Sequence, residues 1–573
     1  MQSSTKIDVW IAALLTGVAG LIFYPFASIG VDPHHDGIML KPAMDVLSGQ
    51  VLQRDTFSQY GPLTTYLQAL ALAFSPTLLS LRLLTVAAYA GSLGLLYLAW
   101  RGLLPRVLAL TAVLLFLVSV PFFIPYIVMI PWSSTLALFF QSLALLALMR
   151  LVAGSFPGVW AWVLGFACAC TLWCRQPVGI ILTASVAVIA VGLHLTGWRH
   201  PHSSTTRMWG RFAAGFAAVT VLMLGYLAAN GALFAWWEQT IVWPRRWAAV
   251  AGTSHFPSIF KFWFLQIGVL IFVGVLGLAL APSLIRRFRV KFPLSVDLVW
   301  WGLLVLFYWV FGRDWVRTSL LIEQGGWRPL ILVLIVLLSL AVVFSVIVPS
   351  KGGRPDWYYL LSSLSGISLG SAAQIFPMPC VNHVFWALAP GFGLIVWLIC
   401  KCLNLSPSKC ALFILALLTP AAYDKYNWAR LNLSLPRHEL SGVLVGLHGE
   451  ADIAAAITRV QRSVGMILER NSNQAVILYG DDAVYLTFFN NRENPSPYYV
   501  TWRELLTIGD TTKRMNYVAK HKPVILMNGP NVAQLNVVPD DYGLFISESL
   551  LDLKIMVPRH VLEELTAAAK IER

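Results

Sequence analysis

The chain has 573 residues, of which 58% are hydrophobic and 12% are charged. An ordinary soluble domain carries about 25% charged residues, so this composition excludes that class of protein. The formal net charge of +14 does not indicate nucleic-acid binding, because the basic residues lie in short loops between apolar runs, where they orient membrane helices.

Apolar runs long enough to cross a bilayer recur along the first three quarters of the chain. The first of them is too long for the core of a typical signal peptide, and we predict that it is a retained span. About thirteen transmembrane helices are predicted, near residues 9–29, 77–99, 107–123, 133–149, 159–174, 178–197, 212–230, 263–283, 298–311, 330–348, 357–376, 384–400 and 410–423. The predicted fold class is therefore a polytopic α-helical membrane protein.

The charges between the predicted spans favour one orientation. With the N-terminus in the cytoplasm, every loop on the inner side is short and basic, as the positive-inside rule requires. This orientation places residues 30–76 outside as a long first outer loop, together with everything after about residue 424. We predict a membrane bundle over residues 1–424 and a separate outer domain, periplasmic or extracellular, over residues 425–573. The short basic loops favour a bacterial inner membrane.

The first outer loop begins with the polar stretch "VDPHHDGIMLKPAMDVLSGQ". Asp32 followed by Pro33 predicts the start of a helix, and Gly49 predicts its end. Pro42 is expected to kink or split that helix. A second helix is predicted to begin near Pro62, in "YGPLTTYLQALALAF", and to lie along the membrane interface.

Three carboxylates of this loop are candidates for chemistry. Asp32 and Asp36 share one face of the predicted helix, and Asp55 follows in "QRDTFSQYGPL". Each also has an ordinary structural interpretation: Asp32 as a helix cap, Asp36 as a solvated carboxylate near a helix start, and Asp55 as a turn residue. If the site uses a divalent metal, Asp32, His35 and Asp36 are the candidate ligands, but nothing in the sequence requires a cofactor.

Polar residues at the outer ends of later spans are candidates for substrate binding. "WCRQPVG" places Arg175 and Gln176 at a membrane boundary, "WPRRWAAV" contains Arg245 and Arg246, and "FPMPCVNHVFW" contains His383. The alternatives are a snorkelling arginine, an interfacial aromatic belt and a hydrogen-bonded polar histidine, respectively.

The C-terminal segment has a different pattern from the rest of the chain. It contains the short β-rich runs "QAVILYGDD", "AVYLTFF" and "KPVILMNG", and a helical pattern in "VPRHVLEELTAAAKI". These patterns predict a small α/β domain. Within it, the polar stretch "FFNNRENPSPYY" is predicted to contact an acceptor or to serve as loop structure.

Four features of the first outer loop together form a pattern. They are an acidic motif directly after the first span, a glycine about a dozen residues later, a second aspartate, and "GPL" at a juxtamembrane helix. The pattern resembles the GT-C superfamily, membrane glycosyltransferases that use polyprenyl-phosphate sugars and include the protein O-mannosyltransferases and aminoarabinose transferases. The matching residues are Asp32, Asp36, Gly49, Asp55, Gly61, Pro62 and Arg82.

The resemblance implies transfer of a sugar from a polyprenyl-phosphate donor to an acceptor hydroxyl on the outer face of the membrane. Asp36, with Asp32 as second candidate, is expected to act as the general base, while Asp55 orients the acceptor or holds a metal. Direct attack by the acceptor, which is a lipid, a polysaccharide or a protein, inverts the anomeric centre. The residues expected to bind substrate are Arg175, Gln176, Arg245, Arg246, His383, Arg82 and Tyr60.

Two other classes of function remain open at this point. A lipid or glycan transporter is less favoured, because transporters generally hold ionisable groups within the membrane and the predicted spans have essentially no acids away from their ends. A non-enzymatic glycan-binding scaffold would tolerate replacement of Asp36 and Asp32 without loss of function.

Overall fold

A computed structural model describes residues 6–120, 129–154, 156–195, 198, 204–245, 356–375, 381–402, 405–470, 475–489, 499, 508–528 and 539–571. This part of the chain is mostly helical. Its α-helices in the first half of the chain are α1 (Lys6–Ala27), α2 (His35–Leu47), α3 (Pro62–Phe74), α4 (Leu78–Trp100), α5 (Arg106–Ser119), α6 (Ser133–Val152), α7 (Pro157–Cys174), α8 (Gln176–Leu195), α9 (Thr205–Ala229) and α10 (Leu233–Trp237). Those in the second half are α11 (Asp356–Ser371), α12 (Val381–Leu388), α13 (Phe392–Cys402), α14 (Pro407–Ser434), α15 (Ala451–Arg470), α16 (Ile508–His521) and α17 (Arg559–Ile571).

Six helices of the described residues are long and apolar enough to cross a membrane, namely α1, α4, α6, α7, α8 and α9. Each lies at a predicted span, so a long apolar helix is confirmed at these six positions. Shorter apolar helices lie at the predicted spans that begin near residues 107, 384 and 410, and the 16-residue α11 lies at the one that begins near residue 357. The predicted spans at 263–283, 298–311 and 330–348 fall outside the described residues.

The long helices pack around one apolar core. α7 lies against α6 and α9, while α4 lies against α1 and α6. At one end of the bundle the fully buried carboxylate of Asp8, in the first turn of α1, accepts hydrogen bonds from Arg101 (3.1 Å) and Arg106 (3.0 Å). A buried carboxylate is stable only when it is paired, so this cluster ties α1 to the segment between α4 and α5.

The predicted helix of the first outer loop is α2, and Gly49 (φ +94°) follows its end as expected. The helix continues through Pro42, so the predicted split there is wrong, while the predicted kink stays a prediction. Proline removes the N–H group that would have bonded the carbonyl four residues earlier. That carbonyl belongs to Ile38, and it accepts a hydrogen bond from the Tyr499 hydroxyl (3.3 Å). A tertiary contact therefore supplies the partner that the proline takes away.

The C-terminal segment contains two sheets. A small antiparallel pair joins β1 (His438–Glu439) to β2 (His448–Gly449). A four-stranded sheet has the order β3-β4-β6-β5, and its strands are β3 (Val476–Tyr479), β4 (Val524–Asn528), β5 (Tyr542–Glu548) and β6 (Leu553–Pro558). The pair β3 and β4 is parallel, and the other neighbours are antiparallel. The predicted strands near residues 476 and 524 are confirmed, whereas "AVYLTFF" forms a 3-10 helix (Ala483–Phe489).

This sheet shares its core with the first outer loop. Ile38, Met39 and Leu40 of α2 belong to the same buried cluster as Leu478 of β3 and Phe489 of the 3-10 helix. The helix α14 runs through the predicted domain boundary after residue 424 and ends at Ser434. The division into residues 1–424 and 425–573 stays a prediction, and the shared cluster fixes α2 against the C-terminal sheet.

Candidate functional site

The first turn of α2 is organised around the carboxylate of Asp32. Its Oδ1 accepts the backbone N–H groups of His34 (3.1 Å) and His35 (2.8 Å), which caps the helix as the sequence predicted. Its Oδ2 accepts a hydrogen bond from Nδ1 of the His35 ring (2.8 Å). Asp32 and His35 therefore form a carboxylate–imidazole pair at the edge of the site.

The pair is partly open to solvent. The side chain of Asp32 is 10% exposed and that of His35 is 27% exposed. Burial alone would raise the pKa of Asp32, but the hydrogen bond and charge of His35 outweigh it, so the pKa lies below its ordinary value. Burial lowers the pKa of His34. At neutral pH this gives an ionised Asp32 beside a neutral His34.

Asp36 has different surroundings, although it lies one helical turn further on. Its side chain is fully buried, and its Oδ2 accepts hydrogen bonds from the Arg82 guanidinium (2.5 Å) and from the backbone N–H of Asp32 (2.9 Å). Arg82 is also fully buried and donates to the carbonyl oxygens of Ala27 (3.2 Å) and Ile29 (2.8 Å). Arg82, which the sequence predicted as a substrate contact, thus forms an ion pair that locks α2 onto the end of α1.

Residues from three distant parts of the sequence meet around Trp132. Its ring centroid lies 5.1 Å from that of His35 and 5.7 Å from that of His383. Nη2 of Arg175 lies 3.4 Å from Nε2 of His383, and the Arg175 guanidinium donates a hydrogen bond to the Ser134 hydroxyl. The structure therefore brings the predicted residues Arg175 and His383 close to the Asp32–His35 pair.

Buried polar donors surround this arginine. Ser133 and Ser134 are the first two residues of α6, whose free N–H groups give its N-terminus a partial positive charge. The Ser133 hydroxyl and Nε2 of Gln176 are buried, and neither has a hydrogen-bond partner among the described residues. Buried donors are normally satisfied, so this group of donors fits an anionic ligand.

Asp55 and Tyr60 take no part in this arrangement within the described contacts. The Asp55 carboxylate accepts two hydrogen bonds from Arg54 (2.8 and 2.9 Å) and one from the backbone N–H of Val51 (2.8 Å). The hydrogen bond from Arg54 lowers the pKa of Asp55. Tyr60 is half-buried, and its carbonyl oxygen accepts a hydrogen bond from Gln53 (3.4 Å). These contacts fit a loop-forming role for both residues.

Of the two arginines predicted in "WPRRWAAV" to bind substrate, the structure describes one. Arg245 is exposed at the end of the helical segment that follows α10, and Arg246 lies outside the described residues. Trp243 in the same segment is buried, and its ring lies 5.6 Å from that of Phe57. The segment is therefore anchored to the first outer loop by an aromatic contact. The stretch at residues 490–498 also lies outside the described residues.

The sequence reasoning missed two acidic residues that the structure adds to the site. Asp481 and Asp482 follow β3, and the carbonyl oxygen of Asp481 lies 3.1 Å from Nδ1 of His34. Burial, with the nearby charges of Asp32 and Asp481, raises the pKa of Asp482 to about 6. The available signal was the "GDD" directly after the apolar run "VILY", since polar residues at the end of a buried strand often serve a site.

The predicted metal ligands do not form a metal centre in the described part of the chain. No group of three or more histidine, cysteine, aspartate or glutamate side chains there could hold a metal ion. The reason is local: His35 bonds to Asp32, while Asp36 bonds to Arg82. The described donor set thus fits ion pairing better than metal ligation.

Comparisons with known proteins give matches among solved structures alone. No family model matches the chain, and no curated protein matches it. The oligosaccharyltransferase of Archaeoglobus fulgidus, tethered to an acceptor peptide with an NVT sequon, is 12% identical, covers 91% of this chain and 69% of its own, and has a TM-score of 0.49. Archaeal AglB from the same organism, in complex with an inhibitory peptide and a dolichol-phosphate, is 13% identical over 91% of this chain and 70% of its own (TM-score 0.49).

A third similar structure is ArnT from Cupriavidus metallidurans bound to undecaprenyl phosphate. It is 12% identical over 95% of this chain and 97% of its own, with a TM-score of 0.46. Because the TM-scores lie below 0.5 and the identities are this low, the similarity assigns no role to any residue of this chain.

Proposed function

We propose that this chain is a membrane glycosyltransferase that moves a sugar from a polyprenyl-phosphate donor to an acceptor hydroxyl on the outer face of a bacterial inner membrane. The observation that carries the proposal is the Asp32–His35 pair (2.8 Å) beside Trp132, a ring that also contacts His383, which in turn lies against Arg175. A base and an anion-binding group close to each other are the two parts that such a transfer needs.

Asp32 is the better candidate for the general base. It is ionised, partly exposed and oriented by His35, as a proton acceptor should be. Asp36, which the resemblance also offers for this role, is fully buried against Arg82 and does not reach solvent. Asp36 instead positions Asp32, because it accepts the Asp32 backbone N–H.

Arg175 and the N-terminus of α6 are proposed to hold the donor phosphate. The guanidinium supplies a fixed positive charge, and Ser133 and Gln176 supply buried donors that the described protein does not use. A lipid phosphate would add a counter-charge to the Arg175 guanidinium, which already donates to the Ser134 hydroxyl. His383 lies close enough to Arg175 to help orient it.

The proposed step is a direct displacement. The Asp32 carboxylate takes the proton of the acceptor hydroxyl as the hydroxyl oxygen attacks the anomeric carbon. The bond between that carbon and the phosphate oxygen breaks, and the electron pair leaves with the phosphate. Arg175 and the donors of α6 stabilise the growing negative charge on that leaving group. One displacement of this kind inverts the anomeric centre.

The test is sugar release from radiolabelled polyprenyl-phosphate sugars by the purified protein, comparing wild type with Asp32→Asn. We expect Asp32→Asn to lower the turnover rate by about 10²- to 10⁴-fold, the usual contribution of a general base. Donor binding should be unchanged, because the phosphate contacts lie with Arg175. Asp55→Asn is the matched control, since Asp55 is paired with Arg54, and it should retain most of the activity.

Full turnover by Asp32→Asn would exclude Asp32 as the base. If wild type released sugar from none of a panel of such donors, the glycosyltransferase proposal itself would fail. A transport assay on the same preparation would then address the transporter class.

A further inference from the structure

The four-stranded sheet places the carboxyl ends of its two parallel strands at the proposed site. β3 and β4 are parallel neighbours, so their carboxyl ends lie at the same edge, where ligands bind in sheets of this kind. Gly480, Asp481 and Asp482 follow the end of β3, and Asn528 is the last residue of β4. The polar residues at the ends of β3 and β4 therefore lie close to each other.

This edge is docked directly onto the first turn of α2. The backbone N–H of Val484 donates to the carbonyl oxygen of Pro33 (3.2 Å), and the ring of His34 contacts Asp481 (3.1 Å). A Cβ atom on Gly37 would lie 2.2 Å from the Val484 nitrogen, so the two backbones pack without space for a side chain. The strand ends and the Asp32–His35 pair thus border one site.

Asp482 is held in place by Asn528. Oδ1 of Asn528 accepts the backbone N–H of Asp482 (3.4 Å), and the nearby Asn528 side chain partly offsets the rise in the pKa of the Asp482 carboxyl. Asn528 is buried, whereas Asp482 is partly exposed. Gly480, with φ +148°, leaves the room for this contact, because a Cβ atom there would lie 1.8 Å from Oδ1 of Asn528. The turn therefore holds the Asp482 carboxylate near Asp32, whose charge contributes to the raised pKa of Asp482.

We propose that Asp482, oriented by Asn528, binds the acceptor beside Asp32. The inference rests on the proposed function and extends it to the acceptor: a polyhydroxyl head group, such as a sugar or polyol, that offers one hydroxyl to Asp482 and another to Asp32. The charge of Asp482 disfavours an anionic group at this position. The acceptor then lies at the ends of β3 and β4, beside the first turn of α2.

The experiment compares two reactions of one preparation of the full chain in detergent or nanodiscs. Sugar release to water measures donor turnover, and transfer to methyl α-glucoside or glycerol, over a concentration series, measures use of an acceptor. For Asp482→Asn we expect a KM for these acceptors raised about 10- to 100-fold, the loss typical of a hydrogen bond to a charged group. Release to water should fall by a much smaller factor than transfer to these acceptors, because Asp32 and Arg175 are intact.

Matched variants separate a local effect from a folding defect. Asp540→Asn removes an exposed carboxylate from the same segment and should leave both reactions unchanged. Asn528→Ala should raise the acceptor KM in the same direction as Asp482→Asn, because Asp482 then loses its orientation. The thermal unfolding midpoint of each variant reports whether the sheet is intact.

Acceptor binding is also measured without turnover, by saturation-transfer NMR with methyl α-glucoside on wild type, Asp32→Asn and Asp482→Asn. Binding that survives Asp32→Asn and is lost in Asp482→Asn supports the proposal even if no donor on hand is used. An unchanged acceptor KM and unchanged binding in Asp482→Asn would overturn it, as would absence of binding by wild type. Failure of donor release with binding intact would count against the proposed transfer and not against the acceptor site.

Discussion

Two aspartates one helical turn apart serve different purposes in this protein. Asp32 lies at the open edge of α2 with His35, and Asp36 lies inside the protein with Arg82. A buried ion pair of this kind contributes little net stability compared with an apolar pair, but removal of one partner is costly because the other charge stays buried. The same motif therefore contains a candidate catalytic residue, Asp32, and a residue that stabilises the structure, Asp36.

Replacement of Asp36 should destabilise the fold. Asp36→Asn leaves the Arg82 guanidinium buried without a counter-charge, a loss of about 3–5 kcal/mol. We expect a clearly lower thermal unfolding midpoint of the detergent-solubilised protein, with reduced activity as a consequence. Asp55→Asn should cost less than about 1 kcal/mol, because its ion pair with Arg54 is exposed.

A double variant tests the reason for this loss. Asp36→Leu combined with Arg82→Met removes both charges, so it should unfold at a higher temperature than Asp36→Asn. If the double variant were as unstable as the single one, the buried charge would not be the cause.

The residues of this motif show which features the sequence could predict and which it could not. Asp32 with Pro33 predicted the helix start correctly, because capping is a local property. The contact between His34 and Asp481 joins residues 447 positions apart, and no local pattern reports such a distance. Burial of Asp36 and Arg82 was equally hidden, since the pair forms only when α4 packs against the first outer loop.

The helix α2 is the element on which the bundle and the C-terminal sheet meet. Its Ile38 carbonyl, left free by Pro42, accepts the Tyr499 hydroxyl, and its Gly37 lies against the backbone at Ala483 and Val484. The expected break at Pro42 failed because a tertiary partner outweighed the local preference. Helix starts and apolar spans could be predicted from periodicity, but this replacement of a missing hydrogen bond could not.

Gly37→Ala tests whether this close contact positions the sheet. The added Cβ would lie 2.2 Å from the Val484 nitrogen and 2.7 Å from the Ala483 carbonyl carbon, so backbone must move. We expect a loss of about 1–3 kcal/mol, the usual cost of overpacking, and faster proteolysis within the C-terminal segment. Gly20→Ala, where no atom lies within 4 Å of the added Cβ, is the matched control and should not destabilise the protein. Equal proteolysis of the two variants would show that the contact is not needed.

The charged groups at the two ends of the helical bundle favour one orientation of the protein in the membrane. The cluster of Asp8, Arg101 and Arg106 lies at one end of α1 and α4, whereas the Asp32–His35 pair follows the other end of α1. Since basic loops stay in the cytoplasm, the end with Asp8, Arg101 and Arg106 should be cytoplasmic. The candidate site at the other end of α1 should then face outward. The same orientation places the C-terminal sheet outside, where its docking onto α2 requires it.

Single cysteines at exposed positions on the two predicted sides can test this orientation. Lys520→Cys lies in α16 of the C-terminal segment, and Ser408→Cys lies in the first turn of α14, on the predicted inner side. In intact bacterial spheroplasts, a membrane-impermeant maleimide should label Lys520→Cys at once and Ser408→Cys only after the membrane is permeabilised. Wild-type protein supplies the background from the native cysteines. Labelling of Ser408→Cys before permeabilisation, with Lys520→Cys protected, would reverse the topology. The proposed site would then face the cytoplasm, and a donor presented on the outer face could not reach it.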